Sequence, residues 1–322
     1  MTSAALLAQS YRLCEQVTAQ NGRTYFLAAR LLPAPRRRAV HALYAFARIV
    51  DDIVDEPGDD AGAAILAAVE ATTFAALDGR RDSADPALPA ELIRVLPAFV
   101  DSVTSFDIPH PYFRAFFASM RMDAPDSPDY RPVYSTMSEL SEYTYGSAVV
   151  IGLQLLPVLG VSGTVEEAVP AASDLGDAFQ LTNFIRDVGE DLDRGRLYLP
   201  SREFSAFGVD VPLLEHGRRT ETVDIRVQRA LAHFIALTRA RYRAAEPGIA
   251  LLDARVQPSI RTAFVLYGAI LEQVEDAGYR ILHRRVTVPS PTRLRVAIPG
   301  LVKSTTYGRI LTGRTDSRVR RP

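Results

Sequence analysis

The stretch YAFARIVDDIVDE, which begins at Tyr44, carries one arginine and four acids in a segment that is otherwise apolar. Its polar side chains recur at steps of three and four residues, so a helix places them on one face. They are Tyr44, Arg48, Asp51, Asp52 and Asp55. A solvated helix end would explain the acids alone. The flanking Ile and Val residues instead predict a helix in the protein interior, where an unpaired carboxylate is costly and must be neutralised.

A second stripe of the same kind lies in QLTNFIRDVGEDLDRGRLYLP, which begins at Gln180. Its polar positions are Gln180, Asn183, Asp187 and Asp191, with Arg186 alongside. One such stripe is ambiguous. Two of them form an anionic cavity if their helices face each other across a bundle. Like charges that are so close raise each other's pKa or recruit cations.

The residue types at these two stripes indicate a ligand. Oxygen ligands suit Mg²⁺, which binds through one or two carboxylates and completes its shell with water and substrate phosphates. The arginines of the two stripes suit an anion that arrives bridged to metal, and a diphosphate meets that description. They are Arg48 and Arg186, with Arg194 or Arg196 as further candidates. The residues alone therefore predict a Mg²⁺-dependent enzyme that ionises an allylic diphosphate inside an apolar helical bundle.

Helical periodicity recurs from end to end and no strand-like alternation persists, which predicts an all-α protein. The chain has 322 residues, 48% of them hydrophobic, and a formal net charge of −1. This composition provides a large core and argues against a disordered or nucleic-acid-binding protein. Cys14 is the only cysteine, so an internal disulfide is excluded and a reducing, cytoplasmic compartment is expected.

No signal peptide is evident in the first twenty residues, and one segment approaches the length of a membrane span. That segment, 146–163, contains Gln154 and Pro157, so we expect a buried core helix that ends near Pro157. We expect one all-α domain over residues 1–300. Residues 301–322 form a basic tail that we expect to be flexible and solvated, with weak attraction to an anionic membrane as the alternative.

Five stretches in this order resemble the phytoene/squalene synthase family, most closely its bacterial phytoene synthase branch. They are TYFLAARLLPAPRRRAVHALYAFARIVDDIVD, MRMD, YTYGSAVVIGLQLLPVLG, LGDAFQLTNFIRDVGEDLDRGRLYLP, and the span from AEPGIALL to AGYRILHRRVTVP. The resemblance covers about residues 10–290, and the fourth stretch is its most specific part. It implies a helical bundle of the isoprenoid synthase type with a central apolar cavity.

The resemblance also implies roles for individual residues. The implied metal ligands are Asp51, Asp52, Asp55, Asn183, Asp187 and Asp191. The implied substrate-binding residues are Thr24, Tyr44, Arg48, Gln180, Asn183, Arg186, Arg196 and Tyr267. The implied catalytic residues are Tyr143, Tyr267, Arg48 and Arg186. The expected cofactor is Mg²⁺, with Mn²⁺ as a substitute, and no NADPH is expected.

The implied reaction joins two geranylgeranyl diphosphates head to head, through a cyclopropylcarbinyl diphosphate, to give phytoene. Three alternatives stay open at this point. The first is a squalene or dehydrosqualene synthase that acts on farnesyl diphosphate, with NADPH in the squalene case. The second is a different prenyl diphosphate enzyme, and the third is a helical scaffold without activity that binds metal or lipid.

One departure from the family bears on substrate length. Many members read V-A-G-x-V-G where this chain reads SAVVIG at residues 147–152, so Val149 stands where a glycine is common. A larger side chain there would narrow the cavity and favour a C15 substrate. The expected partners are prenyl diphosphates and no nucleic acid. Peripheral contact with the inner face of a membrane is expected only for product release, and the sequence gives no oligomeric state.

Overall fold

The computed structural model describes residues 3–55, 62–80 and 88–289, together with Pro291 and Val296. These residues are helical, as the sequence predicts, and two isolated bridge pairs are their only β-structure. The α-helices are α1 (Ser3–Asn21), α2 (Arg23–Ala29), α3 (Ala34–Asp55), α4 (Gly62–Leu77), α5 (Ala90–Ser105), α6 (His110–Asp123), α7 (Met137–Thr144), α8 (Val150–Leu159), α9 (Val165–Asp193), α10 (Ser201–Ala206), α11 (Val211–Thr220), α12 (Ile225–Ala245) and α13 (Gln257–Asp276). The expected boundary at residue 300 and the basic tail 301–322 lie outside the described residues.

Helix α9, 29 residues long, carries the second acidic stripe. It begins at a capping box, in which the Thr164 hydroxyl accepts the N–H of Glu167 and the Glu167 carboxylate accepts the N–H of Thr164. It contacts α8, α12 and α13. Leu181, Ile185 and Val188 are buried on the faces that do not carry the stripe. Packing of these apolar residues therefore fixes the direction in which the polar side chains of α9 point.

Helix α3 carries the first acidic stripe and packs against α1 and α5. Ala42, Ala45 and Val50 are fully buried, and the Phe46 ring stacks on Phe99 with 3.8 Å between the ring centroids. Removing a buried phenylalanine side chain costs about 3–5 kcal/mol. This packing fixes the orientation of α3. The face that carries its aspartates therefore points in one direction, toward one partner helix.

Three apolar clusters surround a central space. One lies around α9, α12 and α13, and a second lies around α1, α3, α5 and α6. The third, which we call the floor cluster, joins the end of α2 and the start of α9 to α8. The floor cluster consists of Ala29, Leu32, Leu153, Leu156, Leu159, Ala168, Leu252 and Val256. The first two clusters form side walls, and the floor cluster closes the apolar end.

The apolar segment predicted to end near Pro157 differs from that prediction in two ways. A π-helical turn, Tyr145–Val149, separates α7 from α8, and α8 runs past Pro157 to end at Leu159 before Gly160, whose φ is 73°. A proline forfeits one helical hydrogen bond, and burial of Val158 and Leu159 offsets that loss. Among the described residues, no helix is long and apolar enough to cross a membrane.

The π-helical turn depends on a close approach between α6 and Gly146. A side chain placed on Gly146 would overlap the carbonyl oxygen of Ala115 and the hydroxyl of Ser119. Ser119 also donates a hydrogen bond of 2.9 Å to the carbonyl of Tyr143. Because Gly146 has no side chain, α6 packs close enough for Ser119 to bind the backbone of Tyr143 and fix its position.

We expect Gly146→Ala to lower the free energy of unfolding by roughly 1–3 kcal/mol, because the added methyl group displaces backbone atoms in a close-packed contact. Urea unfolding monitored by circular dichroism measures this change. Gly268→Ala is the matched control, because no atom lies within 4 Å of the added methyl on α13. It should raise the stability by about 0.5–1 kcal/mol, since glycine disfavours a helix interior. Equal effects of the two substitutions would contradict the packing argument.

Candidate active site

A cavity with a volume of 780 Å³ lies between the two side walls, and both acidic stripes line it. Of the predicted site residues, those that line it are Thr24, Tyr44, Arg48, Asp51, Asp55, Tyr143, Gln180, Asn183, Arg186, Asp187, Asp191, Arg196 and Tyr267. One end of the cavity is rich in carboxylates and guanidinium groups, and the other end is apolar. The structure therefore brings together residues that are far apart in the sequence, in the arrangement that the two stripes predict.

Asp52 is the one predicted site residue that is absent from the cavity wall among the described lining residues. Its carboxylate forms an ion pair with Arg48, one helical turn earlier on α3. Arg48 also pairs with Asp51, with 3.0 Å between Nη1 and Oδ2. The guanidinium of Arg48 thus lies between two acids at the edge of the cavity, and a direct metal contact of Asp52 stays a prediction.

The Asp187 carboxylate pairs with two arginines. The Arg186 fork donates to it through Nε at 2.7 Å and Nη2 at 2.5 Å, and Nε of Arg285 lies 3.0 Å from its Oδ1. Burial acts to lower the pKa of Arg186, but the hydrogen bond and the charge of Asp187 outweigh it and the pKa is raised. Arg285 was not predicted from the sequence. It follows α13 in the chain and pairs with Glu190 as well, at 3.4 Å.

Arg196 binds the C-terminal end of the first stripe. It is 5% exposed, and its guanidinium forms an ion pair with Asp55. Its Nη2 donates to the carbonyl oxygens of Val54 and Asp123, each at 2.9 Å. These hydrogen bonds tie the end of α3 to α6 and to the segment after α9. Through these contacts Arg196 positions Asp55. A direct contact of Arg196 with substrate stays a prediction.

The carboxylates at the charged end have raised pKa values. Although 40% of the Asp51 side chain is accessible, it lies in a recess surrounded by protein, and burial together with the charge of Asp55 raises its pKa to about 7. Burial and the charge of Asp187 raise the pKa of Asp191 to about 8. The arginines oppose these shifts without cancelling them. Ionisation of these two carboxylates is therefore unfavourable until a ligand replaces the solvation that burial removes.

This recess fits a divalent cation that arrives with a diphosphate. The Oδ1 atom of Asn183 is buried and has no hydrogen-bond partner among the described residues, so an oxygen ligand is available beside Asp187. Within residues 3–55, 62–80 and 88–289, no three acids, histidines or cysteines converge closely enough to bind a metal by themselves. Magnesium commonly uses one or two carboxylates and takes its other ligands from water and phosphate. The donor set agrees with that pattern.

A second buried acid, Asp123, holds two tyrosines at the cavity wall. It is 3% exposed and accepts hydrogen bonds from Tyr143 at 2.6 Å and from Tyr198 at 2.7 Å. Tyr198 stacks on Phe184 with 4.4 Å between the ring centroids. Burial, together with the charge of Asp123, raises the pKa of Tyr143 well above its ordinary value. The Tyr143 hydroxyl therefore stays protonated as a donor, and Asp123 fixes the plane of its ring.

A second aromatic group lines the cavity around Tyr267. The Tyr267 ring stacks on Phe179, with 4.4 Å between the centroids, and lies 4.9 Å from the Tyr25 ring. Tyr44, predicted from the first stripe, lies 5.7 Å from Tyr25. Tyr25 was not predicted, because a tyrosine in a helical segment is ordinarily a core residue. These rings present aromatic faces to the cavity beside its charged end.

Val149 does not have the effect that the sequence suggests. It is absent from the cavity wall and packs against the floor cluster. A side chain on Gly176 of α9 would lie 3.1 Å from the Val149 Cα atom, so this part of the chain packs closely against α9. Its neighbours Ser147 and Ala148 line the cavity instead. The expected narrowing of the cavity by Val149 is not observed.

Residues 18–292 match the family model described as Squalene/phytoene synthase. The phytoene synthase of Arthrospira platensis is 33% identical over 305 residues, which cover 90% of this chain and 92% of that protein. The 15-cis-phytoene synthase of Synechocystis sp. (strain ATCC 27184 / PCC 6803 / Kazusa) is 33% identical over 300 residues, covering 90% and 84%.

A solved structure has the same fold. A crystal structure of a dehydrosqualene synthase in complex with a ligand superposes with a TM-score of 0.79 at 24% identity, covering 94% of this chain and 98% of that one. The order and packing of the helices therefore match a known isoprenoid synthase fold, as the sequence predicts.

We expect Asp191→Asn to stabilise the metal-free protein at alkaline pH. The folded protein holds the Asp191 proton up to a pH of about 8, whereas an unfolded chain releases it near pH ~3.9. The stability that this proton provides is fully present below the unfolded pKa and is lost as the pH rises through the folded pKa. In EDTA, the variant should melt several degrees above the wild type at pH 9 and show a smaller difference at pH 5.

Asp193→Asn is the control for this measurement. Asp193 lies two residues further on, is exposed, and has a pKa that its hydrogen bond to Arg218 lowers. Neutralising it should leave the melting temperature at pH 9 unchanged or slightly reduced. If Asp191→Asn gave no stabilisation at pH 9, the ionised Asp191 carboxylate would not destabilise the folded protein, which would contradict its raised pKa.

Proposed function

Because this chain belongs to the squalene/phytoene synthase family, we propose that it is a prenyltransferase that condenses two geranylgeranyl diphosphates head to head into phytoene. One observation carries the proposal: the two acidic stripes face a single cavity whose other end is apolar. The charged end suits the diphosphates, and the apolar end suits the hydrocarbon chains. The curated relatives named phytoene synthase, which cover most of the chain, favour this product over squalene.

The carboxylates, together with Asn183, would hold the metal. They are Asp51, Asp55, Asp187 and Asp191. Mg²⁺, or Mn²⁺ in its place, would neutralise the charge that develops on a departing diphosphate. Arg186 and Arg285 already pair with Asp187, so their guanidinium groups lie where a diphosphate bridged to this carboxylate arrives. Arg48 lies at the edge of the opposite stripe, and Thr24, Tyr44 and Gln180 complete the polar wall.

The proposed reaction begins when the C–O bond of one substrate breaks and its electrons pass to the diphosphate. The arginines stabilise that leaving group by charge-assisted hydrogen bonds. The double bond of the second substrate then attacks the allylic cation and forms a cyclopropylcarbinyl diphosphate. The apolar walls keep water away from the cations.

In the second stage the cyclopropylcarbinyl diphosphate ionises and rearranges, and the resulting cation gives a proton to the released diphosphate or a polar cavity residue to form phytoene. The rings of Tyr143 and Tyr267 both line the cavity and stabilise positive charge through their faces. The Tyr143 hydroxyl is committed to Asp123, so we assign Tyr143 the role of a cation-stabilising ring rather than a base. Proton loss requires no reductant, and the proposal therefore includes no NADPH.

The location of the protein is also a proposal. We place it in the cytoplasm, with peripheral contact at the inner face of a membrane for release of the hydrocarbon. The finding that supports this location is the free thiol of Cys14, the only cysteine of the chain, which fits a reducing compartment.

The product assay tests the function directly. Purified protein with geranylgeranyl diphosphate and Mg²⁺ should form phytoene at the same rate with and without NADPH, and EDTA should abolish the reaction. Farnesyl diphosphate in a parallel reaction should be turned over more slowly. A hydrocarbon that forms only with NADPH, or only from the C15 substrate, would assign the protein to the squalene or dehydrosqualene branch instead.

We expect Asp187→Asn to lower turnover by ~100-fold or more, because it removes a charge that holds metal and diphosphate together. Asp174→Asn on the same helix is the matched control. Asp174 pairs with Arg241 at the protein surface and is absent from the cavity wall. That variant should keep near wild-type turnover. Wild-type activity of Asp187→Asn, with an unchanged melting temperature, would remove α9 from the metal site.

A further inference from the structure

Helix α9 runs along the cavity from its charged end to its apolar floor. Its cavity-facing residues, read from the charged end, are Asp191, Glu190, Asp187, Arg186, Phe184, Asn183, Gln180, Phe179, Gly176, Leu175, Ala172, Ala171 and Ala168. The chemistry changes along this face from acids to amides, then to larger apolar residues, and finally to alanines. A prenyl diphosphate bound with its phosphates at Asp187 would therefore extend its hydrocarbon chain along α9 toward Ala168.

The dimensions of the helix and of a prenyl chain correspond. An extended isoprene unit has four main-chain carbons joined by bonds of ~1.5 Å and advances roughly 5 Å. One turn of an α-helix advances ~5.4 Å. Each isoprene unit therefore spans about one turn of α9.

This correspondence places the ends of the two candidate substrates. At ~1.5 Å per residue, Gly176 lies ~16 Å and Ala172 ~22 Å along the axis from Asp187. Three extended units reach roughly 15 Å and four reach roughly 20 Å, given the same bond length. The end of a C15 chain thus lies beside Gly176. Only the fourth unit of a C20 chain reaches the turn of α9 that carries Ala172, next to the floor cluster.

The backbone of α9 at Ala172 cannot move away from the cavity, because α8 lies directly behind it. A side chain on Gly152 of α8 would lie 2.8 Å from the carbonyl oxygen of Ala172, so the two backbones are already in close contact. On the floor side, Ala168 is 2% exposed and packs among Leu153, Leu156 and Leu252. A larger side chain at Ala172 would therefore project into the cavity instead of being absorbed by movement of the helix.

We propose that Ala172 sets the maximum length of the prenyl chain, because its methyl side chain leaves room for a fourth isoprene unit. The inference rests on the proposed function, since it assumes that a prenyl diphosphate occupies this cavity. It assigns the C20 preference to one position on α9. Val149, the position that departs from the family pattern, packs behind the wall and has no part in it.

The test compares the two substrates within one variant. Ala172→Phe should lower kcat/KM for geranylgeranyl diphosphate at least tenfold and leave that for farnesyl diphosphate within a factor of about three, so the C15-to-C20 ratio rises. Ala172→Leu, a smaller addition that the fold accommodates more easily, should shift the ratio in the same direction by less. Thermal melting confirms that each variant is folded.

Ala250→Phe is the matched control. Ala250 is exposed at the same end of the bundle, so the same side chain is added outside the cavity, and the ratio should equal that of the wild type. An unchanged ratio in folded Ala172→Phe or Ala172→Leu would overturn the inference. So would an equal loss of both substrates in the folded variants.

Failure of the proposed function gives a different result. In that case the wild type itself makes no hydrocarbon from the C20 substrate. If it uses only the C15 substrate, the length argument still predicts that Ala172→Phe leaves C15 turnover intact, and a loss of C15 turnover would overturn it.

Discussion

The burial of carboxylates from two helices in one recess is the constraint on which the rest of this structure depends. Asp51 and Asp55 on α3 share a recess with Asp187 and Asp191 on α9, and burial near like charges raises the pKa values of Asp51 and Asp191. Nothing in the packing of a helical bundle requires such a recess, and a core of apolar residues would be more stable. The arrangement is explained when a bound cation stabilises the ionised form of these buried carboxylates.

The surrounding structure holds these acids in place against their repulsion. Arg196 pairs with Asp55 and donates to two backbone carbonyl oxygens, and Arg186 donates two hydrogen bonds to the Asp187 carboxylate. Packing of Phe46 on Phe99 fixes α3 from behind. A second buried acid, Asp123, orients the aromatic wall next to the recess. The same bundle therefore provides a charged end that binds anions through metal and arginine, and a dry end that accommodates hydrocarbon.

Much of this site follows from the sequence, because helical spacing is a local property. The steps of three and four residues identify both stripes, and the family resemblance adds Tyr143 and Tyr267. Asp123 and Tyr198 lie within quoted family motifs, but their pairing depends on contact between segments 75 residues apart. The expectation that Val149 narrows the cavity is wrong because it rests on a difference from the family motif, and a motif does not show where a side chain points. In the structure, Val149 ends a π-helical turn and packs away from the cavity.

The most direct test of this account is a crystal structure with Mn²⁺ and inorganic diphosphate, because manganese takes the same oxygen ligands as magnesium and is located by its anomalous scattering. The account predicts manganese peaks bound to carboxylates of both α3 and α9, with one diphosphate bridging them beside Arg186. Manganese bound to only one of the two helices, or a diphosphate bound away from the aspartates, would contradict the claim that the two stripes form a single site.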